Sequence, residues 1–335
     1  MSLLKKIMVQ ALKFVKKFLD SSPQWRLLLY DLRNEEEFAN LYEHEKMLAD
    51  TVRIDCYRRA IQKYIGPNDV VLDLGTGTGI LAFFAARQNP KKIFAIDHSD
   101  FIEIARETAR HNNIGNVEFI QSNSRSFTSE VLLDVIIHEQ IGDYLFNENM
   151  LENILDLKKR LLKHGGRILP GKFELYLEPA SLNENFKVPF IWENRIDRID
   201  FAFLRNHYPG LEKYKPSNYQ QEWLAAAAVK HFLCKRNPIL AFDLNQLNSE
   251  SEISRSMEIS KQVTNPGSFD GCCLFFKVIF DEEINFHTSP LTSHTHWGNC
   301  FFRIESHECF AGETITFKFT LRDHLDIKTW TVTLL

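Results

Sequence analysis

The hydropathy period changes abruptly at residue 70. Residues 35–65 carry Leu48, Val52, Ile54, Tyr57, Ile61 and Ile65 at helical intervals, and Gly66-Pro67-Asn68-Asp69 ends that pattern. Val70-Val71-Leu72-Asp73-Leu74 then reads as a strand covered on both faces, as strands of a parallel sheet are. Gly75-Thr76-Gly77-Thr78-Gly79 follows, and residues 80–88 return to helix. Strand, glycine loop and helix in that order bring a backbone with few Cβ atoms to a helix N-terminus, where a ligand can approach closely.

The alternation continues. Strands are expected at 93–96, 117–120 and 134–137, helices at 101–112 and 149–162, the last ended by Gly165-Gly166. This is a doubly wound α/β pattern, whose ligands sit at the carboxyl ends of the strands. After Pro170 the texture turns to β, with strands expected at 173–177, 274–280, 300–305, 314–321 and 329–335. Residues 192–228 read as an insertion or arm with helical patches. The expected organisation is an N-terminal helical extension (1–34), a Rossmann-like domain (35–169) and a β domain (170–335) with the arm at 192–228.

Residues 1–20 intersperse five lysines with apolar residues at the spacing of a basic amphipathic helix. Such a helix could touch an anionic membrane surface, but packing against its own domain or a dimer mate is the more usual use of an apolar stripe. No apolar run is long enough for a membrane span. Net charge is −4, from 44 acidic and 40 basic residues, which argues against direct nucleic-acid binding. The six cysteines lack CxxC spacing, so free thiols in the cytoplasm are expected and no metal site is indicated.

Two clusters carry chemistry. The loop Gly75, Gly77, Gly79 has the spacing G-x-G-x-G, unlike the G-x-G-x-x-G of dinucleotide sites. Asp97 lies 22 residues after Gly75, where a carboxylate ending the second strand can bind both ribose hydroxyls. Together they suit S-adenosylmethionine better than NAD. The second cluster runs from His138-Glu139 to Glu148-Asn149-Met150, beginning where the fourth strand should end. Its two carboxylates can converge only if the loop folds back as a hairpin.

Four segments in order resemble the protein arginine methyltransferases: residues 44–53, residues 71–79, the double-glutamate loop, and Ser293-His294-Thr295-His296-Trp297, the last preceded by residues 286–290. The resemblance runs from about residue 36 to the C-terminus. It implies a Rossmann-like domain, a β-barrel domain and an arm that makes a homodimer. It also implies that Arg53 holds the carboxylate of S-adenosylmethionine, helped by His44 and the loop Asp73, Gly75, Thr76, Gly77 and Gly79, with S-adenosylhomocysteine as product and no metal. Asp97 would take the ribose, and Ser124 and Arg125 would lie near the adenine. Glu139 and Glu148 would clamp a guanidinium, Met47 and Met150 would pack near the methyl group, and His296 would pair with Asp50 beside them, with Trp297 closing the pocket. Phe38 and Gln140 complete the implied substrate pocket.

The sequence departs from the family pattern at His138, Gln140 and Ile141 in the acceptor loop, where Ser, an aromatic and Met are usual. Phe38 replaces a Tyr, Asp97 a Glu, and Arg125 an acidic residue. Protein arginine is the expected acceptor. Free L-arginine or another small guanidine is an alternative, and a catalytically silent partner-binding homologue is a distant one. Singly, several of these residues have plainer uses: Asp50 and Arg53 as a surface pair, Met47 and Met150 as core.

Overall fold

The computed structural model describes residues 40–207 and 220–335. The expected N-terminal helix, Phe38 and the middle of the arm lie outside the described residues. Helices α1 (Leu41–Ala49) and α2 (Thr51–Tyr64) occupy the first helical stretch. They are two helices and not one, because Asp50 ends α1 and N-caps α2, its Oδ1 accepting from the Arg53 amide at 3.0 Å. Cys56, Tyr57, Ala60 and Ile61 bury one face of α2 at the spacing the sequence showed.

Five strands follow with their intervening helices: β1 (Val70–Leu74), α3 (Ile80–Ala86), β2 (Lys92–Asp97), α4 (Phe101–His111), β3 (Glu118–Gln121), β4 (Leu133–His138), α5 (Met150–Leu161) and β5 (Leu162–Leu169). All pairings are parallel, in the order β3-β2-β1-β4-β5. Every residue of β1 is buried, as a strand covered on both faces requires. The order reverses between β1 and β4, so their carboxyl ends flank the crevice where such sheets bind ligands. One expectation fails here. Gly165-Gly166 does not end α5; it lies inside β5, which pairs with β4 through a register shift between Leu133 and Val135. Extended Leu162 ends the helix instead.

The remaining strands are antiparallel. They are β6 (Lys172–Leu182), β7 (Arg195–Ile196), β8 (Ile199–Asp200), β9 (Gln220–Leu224), β10 (Val229–Phe232), β11 (Leu240–Asp243), β12 (Ser256–Gln262), β13 (Gly267–Ile279), β14 (Asn285–His287), β15 (Asn299–Cys309), β16 (Thr314–Leu321) and β17 (Trp330–Leu334). One sheet runs β10-β6-β13-β15-β9, with β11 on β6 and β14 on β13; another runs β12-β16-β17. In β16 the alternation is realised: Ile315, Phe317, Phe319 and Leu321 are buried while Thr314 and Lys318 face out. A continuous apolar core joins the two parts, from Leu72 and Ile136 through Phe173 and Phe276 to Phe317 and Trp330.

The helical patches expected around Pro209 and Pro216 lie outside the described residues. The described part of the arm region holds the β7–β8 hairpin, a single turn, α6 (Leu204–His207), and 3-10 turns at Ile191–Glu193 and Ala226–Ala228. Gln220–Leu224, within the range expected for the arm, pairs with β15 in the seven-stranded sheet. All six cysteines are free and buried. No helix among the described residues is long and apolar enough to cross a membrane.

Candidate active site

The glycine loop is fastened to the sheet before it meets any ligand. The amides of Gly75 and Thr76 both donate to the Ile96 carbonyl, at 2.9 and 3.0 Å. Gly75, Gly77 and Gly79 have φ of 70°, 51° and 91°, in the left-handed region that favours glycine. A Cβ on Gly77 would stand 3.1 Å from His44, whose buried ring stacks on Phe101 at 3.8 Å. Beneath the loop, Asp73 Oδ2 accepts from Thr76 Oγ1 (2.6 Å) and the Ala82 amide (3.0 Å), and burial raises its pKa to about 7. Asp73 thus supports the loop from below, and Gly79 packs toward Phe83 and Ala105; neither lines the pocket.

That pocket is lined by His44, Met47, Arg53, Gly75, Thr76 and Gly77, and also by Asp97, Ser124, Arg125, Gln140 and both glutamates, Glu139 and Glu148. Asp97 is already engaged: Oδ2 accepts from the Gly77 amide at 2.8 Å, and Oδ1 from the amide and hydroxyl of Ser99 at 2.9 and 2.7 Å. A carboxylate offers about four acceptor positions, and these three contacts fix how Asp97 sits at the pocket wall. The shorter side chain, in place of Glu, stays close to its own loop.

The two glutamates share this pocket because the chain between them turns back tightly. Gly142 and Leu145 form an antiparallel bridge, with the Leu145 amide donating to the Gly142 carbonyl at 2.9 Å. Asn147 Oδ1 sits where a Cβ on Gly142 would be, 2.0 Å from it, and accepts from the Tyr144 amide. Leu145 and Asn149 hold left-handed φ values of 82° and 50° without being glycine.

Glu139 is paired with Arg53, Nη1 to Oε2 at 2.9 Å, with both side chains largely buried. Arg53 Nη2 also donates to the Met47 carbonyl at 2.7 Å. Two atoms of this pair are left over: Arg53 Nε and Glu139 Oε1 are buried and have no hydrogen-bond partner among the described residues. Burial raises the Glu139 pKa, and the neighbouring Asp50 adds to this, while Arg53 and His296 oppose it. Asp50 and Arg53 are therefore no surface pair; both are buried, and Arg53 lines the pocket while Asp50 lies behind it against His296.

His296 closes the arrangement from the β part. Its Nδ1 and its amide both lie against Asp50 Oδ2, at 2.8 and 2.9 Å. Burial alone would raise the Asp50 pKa, but the His296 and Arg53 hydrogen bonds outweigh it and hold the carboxyl below its ordinary value. Trp297 does not line the pocket. Its buried ring packs on Phe276 and Phe286, and Nε1 donates to the Ile141 carbonyl at 2.9 Å, so it pegs the acceptor loop from beneath. Met150 is fully buried in the core and off the pocket wall. His138, a departure in the acceptor loop, points inward as well: Nε2 lies 2.9 Å from the Pro170 carbonyl, and burial lowers its pKa to about 4.

Several pocket residues have no counterpart among the sequence expectations, Asn153 among them. Asn153, buried on α5, accepts from Ser124 Oγ at 3.2 Å and donates to Gln140 Oε1 at 3.3 Å. It ties the end of the β3 region to the acceptor loop. An asparagine in an amphipathic helix carries no local sign of this; only its place on the buried face, three residues beyond Met150, could have raised it.

Two family models match in succession: a methyltransferase domain over residues 65–207 and an arginine methyltransferase oligomerization subdomain over residues 192–331. The chain belongs to the protein arginine methyltransferase family. Relatives of this family include protein arginine N-methyltransferase 6 of Danio rerio, 27% identical over 275 residues, which are 78% of this chain and 76% of that protein. The probable protein arginine N-methyltransferase 6.1 of Oryza sativa subsp. japonica is 36% identical over 256 residues, 75% of this chain and 63% of its own length. Among solved structures, the Trypanosoma brucei PRMT1 enzyme-prozyme heterotetrameric complex with AdoHcy superposes with a TM-score of 0.71 at 24% identity, covering 84% of this chain and 88% of that one. At that identity the likeness is one of fold. It is the methyltransferase-family fold that the site residues above occupy.

Proposed function

We propose that this chain is an S-adenosylmethionine-dependent N-methyltransferase acting on the guanidinium group of arginine side chains in proteins. Relatives that are named for this reaction support the reading, and the observation that carries it is the leftover pair of atoms in the pocket. Arg53 Nε has a proton to give and Glu139 Oε1 a lone pair to offer, on two residues that line one pocket with the glycine loop. A carboxylate suits the first, and a guanidinium N–H suits the second. The residues therefore fit S-adenosylmethionine, with its amino-acid carboxylate at Arg53 and its ribose near Asp97.

When bound, S-adenosylmethionine supplies an electrophilic methyl group on a sulfonium. The chain's own residues make the acceptor competent. A guanidinium is protonated at any ordinary pH and its lone pairs are delocalised, so it is a poor nucleophile. Glu139, oriented by Arg53 through Oε2, presents Oε1 to one side, and Glu148 lines the same pocket. Two carboxylates bonded to a guanidinium draw its positive charge toward them, and the remaining nitrogen regains lone-pair character. Holding the reactants in line supplies roughly 7–11 kcal/mol of the barrier reduction. The proton released has acceptors at Glu148 or at the Asp50–His296 pair.

We assign cofactor binding to residues 35–169 and acceptor binding mainly to residues 170–335, and we infer a homodimer in the cytoplasm. The oligomerization-subdomain match supports self-association, and six unpaired thiols suit a reducing compartment. Light scattering at micromolar concentration tests the dimer.

The test of function is methyl transfer from labelled S-adenosylmethionine to an Arg-Gly-rich peptide and to free L-arginine in parallel. Peptide labelling is expected; labelling of free arginine alone would refute the protein acceptor. Glu139→Gln and Glu148→Gln should each abolish turnover while S-adenosylmethionine still binds, and near-normal activity in both would remove the clamp.

A further inference from the structure

Helix α5 starts two residues after Glu148, and its first turn carries Glu152. From the β part, His324 reaches that turn, Nε2 to Glu152 Oε1 at 3.2 Å. Its other ring nitrogen lies 2.6 Å from Arg255 Nη1. A guanidinium can only donate, so Nδ1 accepts, the ring proton sits on Nε2, and His324 donates to Glu152. The same polarity decides what the cluster is. Glu152, Glu250 and His324 lie close enough together to hold a cation. A cation on Nε2 would need its lone pair and would leave an Nδ1 proton facing the Arg255 donor. The group is a hydrogen-bonded tether.

The turn that carries His324 grips the double-glutamate loop at two more points. Tyr144 Oη donates to the Leu325 carbonyl at 2.7 Å, and Phe146 meets the His324 ring edge to face, with centroids 5.8 Å apart at 87°. The turn is itself pinned, since Trp330 Nε1 donates to the Asp323 carbonyl at 2.8 Å. Such a grip has a physical purpose. Leu145 and Asn149 stand in a left-handed backbone region that a non-glycine residue keeps only when its surroundings enforce it. Asn149 directly follows Glu148.

We propose that His324 is a positioning residue, which sets Glu148 in the pocket by tethering the start of α5 to the β part. This rests on the assignment of Glu148 to the guanidinium clamp. Three variants separate the tether from simple packing. His324→Gln keeps a donor near the Nε2 position; His324→Asn reaches toward Arg255 but not Glu152; Glu152→Ala removes the acceptor at a half-exposed site. Two readouts are taken: kcat on an Arg-Gly-rich peptide at saturating S-adenosylmethionine, and amide hydrogen exchange across residues 142–149.

His324→Asn and Glu152→Ala should each lower kcat about tenfold or more, leave cofactor affinity within about twofold, and speed exchange in the loop, because small misplacements of a reacting pair are costly. Their double variant should be no worse than His324→Asn alone, since both break the Glu152 contact and only His324→Asn also loses the longer one to Glu250 at 3.6 Å. His324→Gln should hold kcat within about threefold of the parent chain. Equal damage from Gln and Asn, or parent-like kcat and exchange in all three, overturns the proposal. A parent chain that methylates no arginine would refute the function reading instead; exchange then judges the tether alone, with faster exchange in Asn but not in Gln still supporting it.

Discussion

Removing Arg53 is the sharpest single test of how the site holds its charge. At 2.9 Å and an effective dielectric of about 20, the Arg53–Glu139 attraction is about 6 kcal/mol. Much of that offsets the desolvation of two buried groups. What a variant reads is the cost of leaving one of them alone, about 3–5 kcal/mol for a buried pair broken on one side. Arg53→Met fills similar volume and leaves Glu139 without its closest cation. The sign follows from the physical causes: burial already raises the Glu139 pKa, and Arg53 opposes that rise. Without Arg53 the pKa climbs further, so at a given pH less of the carboxylate that the clamp needs is present. The assay is kcat on an Arg-Gly-rich peptide, at saturating S-adenosylmethionine, from about pH 6 to about pH 10. The acid limb of the variant should move to higher pH, with activity recovering as pH rises. An unmoved limb, or a loss uniform across pH, would refute the reasoning and leave Arg53 with cofactor binding only.

Three further outcomes follow from the geometry. Asp97→Ala frees the Gly77 amide and both Ser99 donors together, and should weaken S-adenosylmethionine binding at least tenfold by calorimetry, since hydrogen bonds to a charged group contribute about 1.5–3 kcal/mol each. Gly79→Ala, at φ 91° with its new Cβ 2.5 Å from the Phe83 ring, should lower the thermal midpoint by several degrees through a cost of about 1–3 kcal/mol. Lys261→Met should destabilise the β part by about 3–5 kcal/mol in urea denaturation, because Glu178, fully buried and 2.7 Å from the lysine, would lose its counter-charge. Adding Glu178→Met should recover most of that loss.

What the sequence made legible, and what it did not, divides by the range of the interaction responsible. The parallel sheet was legible because each strand is apolar along its own length and each helix carries its own stripe. The break at Asp50 was not, because the apolar period continues straight through it. What turns the helix there is a carboxylate held by His296, 246 positions away. Likewise β5 contains Lys163-His164-Gly165-Gly166, which reads locally as a helix stop, and only pairing with β4 makes it a strand. Gln220–Leu224 has Glu222 at its centre and little apolar character; its place is set by β15.

The site divides the same way. Arg53, Glu139, Glu148, Asp97 and the glycines stand at element ends and carry chemistry that few structural uses require, so their types and order expose them. The residues that hold them in place are of ordinary kind. Asn153, His324 and Trp297 act through a carbonyl, a carboxylate or an amide of another segment, and no spacing within their own segments records it. The Arg53–Glu139 pair lies between these cases. Both residues could be found, but the motif order assigns them to two different ligands. Their contact changes the physics: each orients the other, and each keeps one polar atom unpaired among the described residues. The proposed clamp would then be set before the acceptor arrives, so the energy of acceptor binding need not be spent on gathering its charges.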